Sequence, residues 1–435
     1  MAKRKMKIRK FYNNTFIKIW RNLKPIRRNQ MITVFFVMLL TSLSEIFTLS
    51  SVIPFLSSIS NQQNLSENKI IVMIFNFFNI NSEDNLIIYS SIIFILAILI
   101  SSSFRLLNIW LNGRLAAVIG SDFSIKVYEN TLYQPYINHL RRNSSEVISA
   151  STTKIAYTIR FISSTLQIGT ALMISTGIFI GLLLIDFKTT IFLTSIIGIS
   201  YLIIAKTTKK KLLRDGKLIS HFTKLQTQAL QEGLGAIREI LMVGNQEVYK
   251  NIYKNIDLPL RLKDNQSGFI SAAPRFIIEA FVIIIIVVIA LTSNFKNGQN
   301  NITYLGVFVL GAQRLLPALQ QLYGGWAIIK TYSYAANDVL NLINQPLRKK
   351  TFFKKSESIS FKKYIKLENI SFKYSRDSEY IIKNLNLVIN KGEKIGIIGE
   401  TGAGKSTLID LILCLLKPSE GKLIIDGIDI YENSN

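Results

Sequence analysis

The stretch Gly399-Glu400-Thr401-Gly402-Ala403-Gly404-Lys405-Ser406-Thr407 decides the fold class of the C-terminal part of this chain. It consists of a glycine, four free residues and then Gly-Lys-Ser, a spacing typical of loops that hold phosphate. The glycines permit backbone turns in which several N–H groups converge on one anion. In such a loop Lys405 reaches the β- and γ-phosphates and the Ser406 hydroxyl binds Mg²⁺.

The residues around this loop fit an α/β fold. The apolar, β-branched run 394–398 before it predicts a buried strand, and 407–413 after it predicts the start of a helix. Alternation at period two predicts further strands at 365–372 and, more loosely, at 381–389. Another strand with a turn is predicted at 423–427.

Composition indicates a membrane protein. Of the 435 residues, 49% are hydrophobic and 18% are charged, and the net charge is +25. The positive charge lies between long apolar runs, so we expect no nucleic-acid partner and a charge distribution that sets membrane topology. The single cysteine, Cys414, excludes an intrachain disulfide, and two distant histidines do not suggest a zinc site.

Six apolar runs have about the ~20 residues needed to cross the hydrocarbon layer. The basic residues cluster in the segments on one side of these runs, which predicts that both termini lie in the cytoplasm of a plasma (inner) membrane protein. The connections 111–160 and 206–275 are helix-friendly and predict helices that continue well into the cytoplasm. The predicted spans are 31–57, 86–110, 161–185, 188–205, 276–293 and 302–329.

These patterns divide the chain into four parts. Residues 1–30 are a basic cytoplasmic segment, which could be a lipid-surface or docking arm or simply a cytoplasmic-retention signal. Residues 31–344 form the transmembrane domain, 345–364 a Lys-rich linker, and 365–435 the beginning of a nucleotide-binding domain.

Three ionisable side chains fall inside the predicted spans. A charge at mid-depth costs roughly 2.5–3.5 kcal/mol, so it should face water or a partner. Arg314 could line the path of an anionic substrate such as a phosphate-bearing lipid, or it could pair structurally with Glu45. Glu279 lies four residues after Arg275 and is expected to form an ordinary pair on one helix face.

Taken together, the chain resembles an ABC exporter half-transporter over nearly its whole length. The resemblance rests on six spans with long cytoplasmic extensions, the loop at 399–407, and the stretches 417–421 and 425–427. It implies a six-helix, all-α transmembrane domain followed by an incomplete α/β P-loop domain that binds ATP and Mg²⁺. The aromatic position before the loop would be Tyr374, stacking on adenine. The implied ATP-binding residues are Tyr374, Gly399, Glu400, Thr401, Gly402, Ala403, Gly404, Lys405, Ser406 and Thr407, with Ser406 on the metal.

Within that family the spans are most similar to lipid-linked oligosaccharide flippases and polysaccharide exporters. The similar stretches are 45–56, 274–279 and 314–321. The resemblance therefore implies export or flipping of a lipid-linked or other amphipathic substrate, and a dimer in which two copies face each other across ATP. Glu45, Glu279 and Arg314 are the candidate residues of the substrate path.

The chain departs from the family pattern in two respects. Cys414 stands where the family usually has glycine, and a small, buried, unreactive residue is expected there. The family's Gln loop, signature, acidic strand and switch histidine would all lie beyond Asn435, so hydrolysis is not expected from this chain alone. The alternatives are a membrane-anchored nucleotide-binding protein without transport activity, or an inert remnant.

Overall fold

The computed structural model describes residues 15–59, 86–185, 187–292, 300–346, 361–375 and 377–432. Residues 1–14 of the basic N-terminal segment and residues 347–360 of the predicted linker lie outside these ranges. The chain divides into two compact units. Unit 1 comprises residues 1–127 and 148–343, and unit 2 comprises residues 128–147 and 344–435.

Unit 1 is helical, and each predicted span falls largely within one long helix. These helices are α1 (Pro25–Ile59), α2 (Leu86–Leu132), α5 (Ile155–Ile185), α6 (Phe187–Gly235), α9 (Pro274–Thr292) and α10 (Asn300–Ile343). Shorter elements lie between them along the chain, of which α3 belongs to unit 2. They are α3 (Tyr136–Leu140), α4 (Ser144–Ser149), a π-helical turn (Ala150–Lys154), α7 (Ile237–Val243) and α8 (Gln246–Ala272).

Length and composition identify five candidate membrane spans in the described ranges. They overlap the first five predicted spans, whereas the sixth, within α10, stays a prediction. The candidates are Pro25–Val52, Ile87–Leu132, Ser144–Leu183, Thr190–Gly235 and Gln246–Ile285. This is a membrane protein with several apolar helices.

Some helices are much longer than a bilayer requires. Helix α2 has 47 residues and α6 has 49. At 1.5 Å per residue each is about 70 Å long, more than twice the hydrocarbon thickness of ~30 Å. The chain therefore has helices where the sequence predicts extensions beyond the spans.

The core of unit 1 lies where α2, α5 and α10 pack together. Phe123 and Ile119 of α2 and Leu340 of α10 are among its fully buried side chains. A glycine permits a close approach of α6 to α10, because a Cβ on Gly216 would lie 2.0 Å from the carbonyl oxygen of Thr331. Any side chain at that position would force the two helices apart.

Unit 2 contains a four-stranded antiparallel sheet in the order β2-β1-β3-β4. Leu367 of β1 faces Leu387 of β2 on one side and Leu423 of β3 on the other. Helix α11 packs its Leu408, Leu411 and Ile412 against the sheet. The elements are β1 (Tyr364–Phe372), β2 (Ile382–Asn390), α11 (Lys405–Ile412), β3 (Glu420–Ile425) and β4 (Ile428–Asp429).

The prediction of a buried strand at 394–398 is wrong. These residues are irregular and exposed, and Ile398 is 98% exposed. An apolar β-branched run becomes a strand only beside a neighbour that takes its backbone hydrogen bonds, and none of the described strands pairs with it. The observed sheet is antiparallel, and a complete α/β P-loop fold stays a prediction.

Candidate functional site: the phosphate loop and a polar membrane cavity

Two of the three loop glycines adopt a conformation that requires glycine, whereas Gly399 does not have a positive φ. Gly402 has φ of +90° and Gly404 has φ of +87°, in the region that side-chain-bearing residues avoid. Gly404 also has no room for a side chain, since a Cβ there would lie 2.8 Å from Cγ2 of Ile381. Helix α11 begins at the next residue, so its free N–H groups and positive dipole end point at the loop.

Lys405 folds back over the loop. Its Nζ donates to the carbonyl oxygens of Gly399 and Glu400, each at 2.7 Å. The loop is further closed by a hydrogen bond of 3.2 Å from the Ala403 N–H to the Glu400 oxygen. Both acceptors of Lys405 are neutral carbonyls, so an anion bound in the loop would be a stronger partner for the ammonium group. The loop therefore fits a phosphate.

The two hydroxyl residues after Lys405 have different surroundings. Ser406 is exposed in the first turn of α11, as a metal-binding hydroxyl must be. Thr407 is buried, and its Oγ1 lies 3.0 Å from the hydroxyl of Tyr374. In the described ranges no cluster of three or more His, Cys, Asp or Glu side chains could hold a metal ion. Ser406 is thus the loop's own candidate ligand for Mg²⁺.

Tyr374 is held against the loop helix. Its ring packs edge-on to Phe372 with the centroids 5.0 Å apart, and it lies at the margin of the sheet core. The hydrogen bond to Thr407 fixes the ring beside the first turn of α11. The structure thus brings Tyr374 close to the loop, while its stacking on adenine stays a prediction.

The sequence did not reveal that Asp426 fixes the start of β1. The Asp426 carboxylate accepts hydrogen bonds from the backbone N–H groups of Lys362, Lys363 and Tyr364 at 2.5–2.8 Å. The bond from Lys362 is the largest cause of a lowered pKa of the Asp426 carboxyl group. This carboxylate therefore ties the turn after β3 to the start of the first strand.

Cys414 has a structural role that the sequence did not show. It has φ of +59°, and its N–H and that of Leu415 bond to the carbonyl oxygens of Leu411 and Asp410. This is the Schellman arrangement that ends a helix, where glycine is favoured. The expectation of a buried residue is wrong, because Cys414 is exposed. Desolvation of its sulfur nevertheless raises the pKa of the thiol, which limits its reactivity.

A segment from between two long helices folds together with the sheet. Helix α3 belongs to unit 2, and its Tyr136 and Ile137 pack against the apolar core that contains Leu367 and Leu411. Arg142 in the same segment donates to the Gln345 side chain at 3.3 Å. The connection between α2 and α5 is therefore part of the unit that carries the phosphate loop.

Comparison with known proteins agrees with this geometry. The model of the ABC transporter family matches residues 382–435, which include β2, the loop, α11 and β3. The C-terminal segment matches ABC transporters. Domains of this family bind ATP with Mg²⁺, and the matched residues include the whole of the loop 399–407.

Relatives extend the similarity to exporters. The heterocyst differentiation ATP-binding protein HepA of a Nostoc species is 25% identical over 303 residues, which cover 66% of this chain and 47% of HepA. The alpha-hemolysin translocation ATP-binding protein HlyB of Escherichia coli is 31% identical over 134 residues, 31% of this chain and 19% of HlyB. The leukotoxin export protein LtxB of Aggregatibacter actinomycetemcomitans is 32% identical over a stretch of the same length. The chain spans less than half of each of these proteins.

The helical unit contains a buried ionic cluster. The Glu45 side chain is 1% exposed and forms ion pairs with both Arg105 and Arg314. Arg105 Nη2 lies 2.5 Å from Glu45 Oε1, and the Ser101 hydroxyl donates to the same oxygen at 2.9 Å. The predicted alternative of a structural pair between Arg314 and Glu45 is therefore observed.

Arg105 was not among the residues predicted from the sequence. It lies inside the second predicted span, and its charge alone could have marked it as it marked Arg314. One carboxylate faces two guanidinium groups, so the cluster carries a net positive charge.

Both arginines line a polar cavity of about 200 Å³ between α1, α2, α5 and α10. Asn108, Asn112 and Thr170 are buried in its wall and bond to one another at 2.5–3.3 Å. The Asn112 Oδ1 atom is buried and has no hydrogen-bond partner among the described residues. The cavity thus offers guanidinium and amide groups to a bound molecule.

Glu279 is not part of this cavity. It pairs with Arg275 at 3.7 Å, and both side chains are about half exposed. The structure therefore brings Glu45 and Arg314 together and leaves Glu279 in the ordinary i,i+4 pair that its spacing predicts.

Proposed function

We propose that this protein works in ATP-driven export, moving a lipid-linked or other amphipathic substrate across the inner membrane, with its termini in the cytoplasm. The observation that carries the proposal is that the same chain holds membrane-length helices and the phosphate loop, joined through α3, which packs into the core of the loop's unit. The names of HlyB and LtxB, which refer to translocation and export, support the transport class.

The loop would hold ATP through its own groups. Bound ATP supplies a triphosphate whose charge Mg²⁺ partly neutralises. Lys405 would exchange the carbonyl oxygens of Gly399 and Glu400 for phosphate oxygens, and Ser406 would bind the metal. Release of these carbonyls would let the loop from Gly399 to Gly404 rearrange around the anion. Tyr374, fixed by Thr407, would contact the base.

The polar cavity would contact the substrate's headgroup. Arg105 and Arg314 have more positive charge than Glu45 neutralises, and the amides beside them suit hydroxyl-rich groups. A phosphate-bearing lipid with a sugar headgroup combines both features. The apolar helices outside the cavity would accompany its acyl chains.

A second copy of the chain would complete the transporter. Helix α7, between α6 and α8, ends in three successive apolar side chains that are each 61–76% exposed: Leu241, Met242 and Val243. Such a patch beyond the predicted span is expected to be covered by a protein partner. Replacing Met242 with aspartate should weaken dimerisation in detergent, whereas Lys250→Asp on the exposed surface of α8 should not. Equal dimer fractions for both variants would argue against this interface.

Nucleotide binding by the full chain in detergent tests the first part of the proposal. Loss of the charge-assisted bonds of Lys405 should weaken affinity for a fluorescent ATP analogue by about tenfold or more in Lys405→Ala. Lys391→Ala, in an exposed turn of the same unit, is the matched control. Equal affinities for the wild type and Lys405→Ala would exclude an ATP-dependent role.

Complementation in host cells tests transport. Cells that lack the gene should accumulate the untransported lipid-linked species, measured by mass spectrometry of membrane extracts, and the wild-type gene should clear it. Lys405→Ala should not clear it. Nucleotide binding without any such accumulation would instead favour a membrane-anchored nucleotide-binding protein.

A further inference from the structure

A second, apolar pocket lies apart from the polar cavity. It has a volume of about 200 Å³ and is formed by the helical residues 15–22 together with α1 and α5. Its one hydroxyl group, that of Thr165, donates to the Phe161 carbonyl oxygen at 2.8 Å and is not free for a ligand. A pocket with such walls binds apolar groups and not water.

The pocket is closed at its floor and open at its rim. Ile19, Val34 and Phe161 form buried walls, whereas Phe16 and Phe35 are each 48% exposed. The opening therefore lies between the helical residues 15–22 and the outer face of α1. Neighbouring side chains on that face of α1, such as Phe36, are also exposed and apolar, as expected of a surface that contacts lipid.

The pocket lies at one end of the predicted membrane region. Met31 and Phe161 line it, and they are the first residues of the predicted spans 31–57 and 161–185. The helical residues 15–22 expose Phe16, Ile17 and Trp20 and carry basic residues, a composition typical of a helix at the membrane surface. A ligand that enters here comes from the leaflet that contacts these residues.

Arg28 lies beside the pocket with a hydrogen-bonding group unused. It precedes Met31 by one helical turn, and its guanidinium carbon lies 5.6 Å from the Trp20 ring. Its Nη2 donates to the carbonyl oxygens of Trp20 at 3.1 Å and Arg21 at 3.5 Å, its Nε is buried without a partner, and no acidic side chain among the described residues pairs with it. By contrast, neighbouring Arg27 is already paired with Asp122 at 2.8 Å.

An anion near Arg28 would also suit the start of α1. The first turn of that helix contains no acidic residue, although negative charge is favoured at a helix N-terminus. The site thus combines an apolar pocket at acyl-chain depth with a cation at headgroup depth that has no acidic partner among the described residues.

We propose that this pocket binds an acyl chain of an anionic phospholipid whose phosphate interacts with Arg28. The lipid is a bound component of the protein's surface. The inference does not depend on the transport proposal, because it concerns neither the polar cavity nor the phosphate loop.

Lipid retention by the purified full chain tests the proposal. The protein is exchanged into micelles that contain equal amounts of phosphatidylglycerol and phosphatidylcholine, and retained lipid is measured by native mass spectrometry. The wild type should retain about fivefold more phosphatidylglycerol, because one basic group favours a lipid of net negative charge by about that factor, whereas the choline of phosphatidylcholine offsets the charge of its phosphate. Equal retention of the two lipids by the wild type would overturn the proposal.

Variants separate the acyl-chain pocket from the charge. Gly169→Leu places a side chain in the pocket, where Met38 is the nearest neighbour at 3.6 Å, and should abolish retention. Gly181→Leu on the same helix, where a Cβ meets nothing within 4 Å, should retain lipid as the wild type does. Arg28→Gln should keep total lipid but lose the preference for phosphatidylglycerol.

A second pocket variant keeps the proposal testable. If Gly169→Leu does not fold, Thr165→Leu narrows the same pocket one turn earlier and carries the same expectation. Unchanged phosphatidylglycerol retention in a folded pocket variant, or an unchanged preference in Arg28→Gln, would refute the assignment.

Discussion

The buried cluster around Glu45 makes a quantitative prediction. In Glu45→Gln, Arg105 and Arg314 would face each other without the carboxylate that now binds both. Removing one partner of a fully buried pair costs about 3–5 kcal/mol. Because the arginine side chains are 50% and 28% exposed, solvent would screen part of that cost, and we expect a loss of about 2–3 kcal/mol.

For the other substitutions in ion pairs, the loss of stability should depend on whether the substitution leaves a buried charge without a partner. Arg314→Gln leaves Glu45 paired with Arg105 and bonded to Ser101, so it should cost only about 1–2 kcal/mol. The double variant Glu45→Gln/Arg314→Gln removes one charge of each sign and should be more stable than the sum of the single losses implies. Glu279→Gln breaks a half-exposed pair and should cost at most about 0.5 kcal/mol.

Unfolding of the detergent-solubilised chain by added SDS, followed by fluorescence of its three tryptophans, measures these free energies. Phosphate should restore part of the stability of Glu45→Gln, because an anion can take the place of the carboxylate between the guanidinium groups. If Glu45→Gln were no less stable than Glu279→Gln, the cluster would not be the buried ionic site described above. A response to phosphate equal to that of the wild type would count against anion binding in the cavity.

Three further substitutions test local features. Cys414→Gly should raise the free energy of unfolding by about 0.5–1 kcal/mol, because glycine adopts the positive φ more easily; Cys414→Val should lower it. Asp426 has a folded-state pKa below its unfolded value, so its contribution to stability is present above the unfolded pKa of about 3.9 and is lost as pH falls through the lower, folded pKa. Acid titration of unfolding should show this loss in the wild type and not in Asp426→Asn. Gly216→Ala should cost about 1–3 kcal/mol because its Cβ would collide with the Thr331 oxygen, whereas Gly113→Ala in α2, with nothing within 4 Å, should not destabilise the protein. Melting curves in detergent measure this difference, and equal melting temperatures for Gly216→Ala and Gly113→Ala would contradict the close contact at Gly216.

Features that depend on neighbouring residues were predictable from the sequence. The positive φ angles at Gly402 and Gly404, and the helix that starts within two residues of its predicted position, follow from backbone chemistry inside one short segment. The strands 364–372 and 382–390 were also recognised, because alternating residues line a sheet that buries one face.

Features that depend on distant residues were predictable only in part. The prediction of a strand at 394–398 was wrong because these residues do not specify which other strand would take their backbone hydrogen bonds. Asp426 was recognised as part of a turn, yet its partners are more than 60 positions earlier in the chain. Cys414 was interpreted by its size and polarity, whereas its backbone angle determines which residue suits the position.

In the ionic cluster, the free-energy cost of a charge in hydrocarbon predicts which residues need a partner, but the sequence does not show which residue that partner is. The free-energy cost of a charge in hydrocarbon predicted that Glu45 and Arg314 need partners, although the two residues are 269 positions apart. The same free-energy cost applies to Arg105, but only the structure shows that Arg105 of α2 binds the Glu45 carboxylate of α1. With one arginine the site would be a neutral structural pair. With two it keeps a positive charge beside a polar cavity, and that surplus is the physical basis for expecting an anionic substrate there.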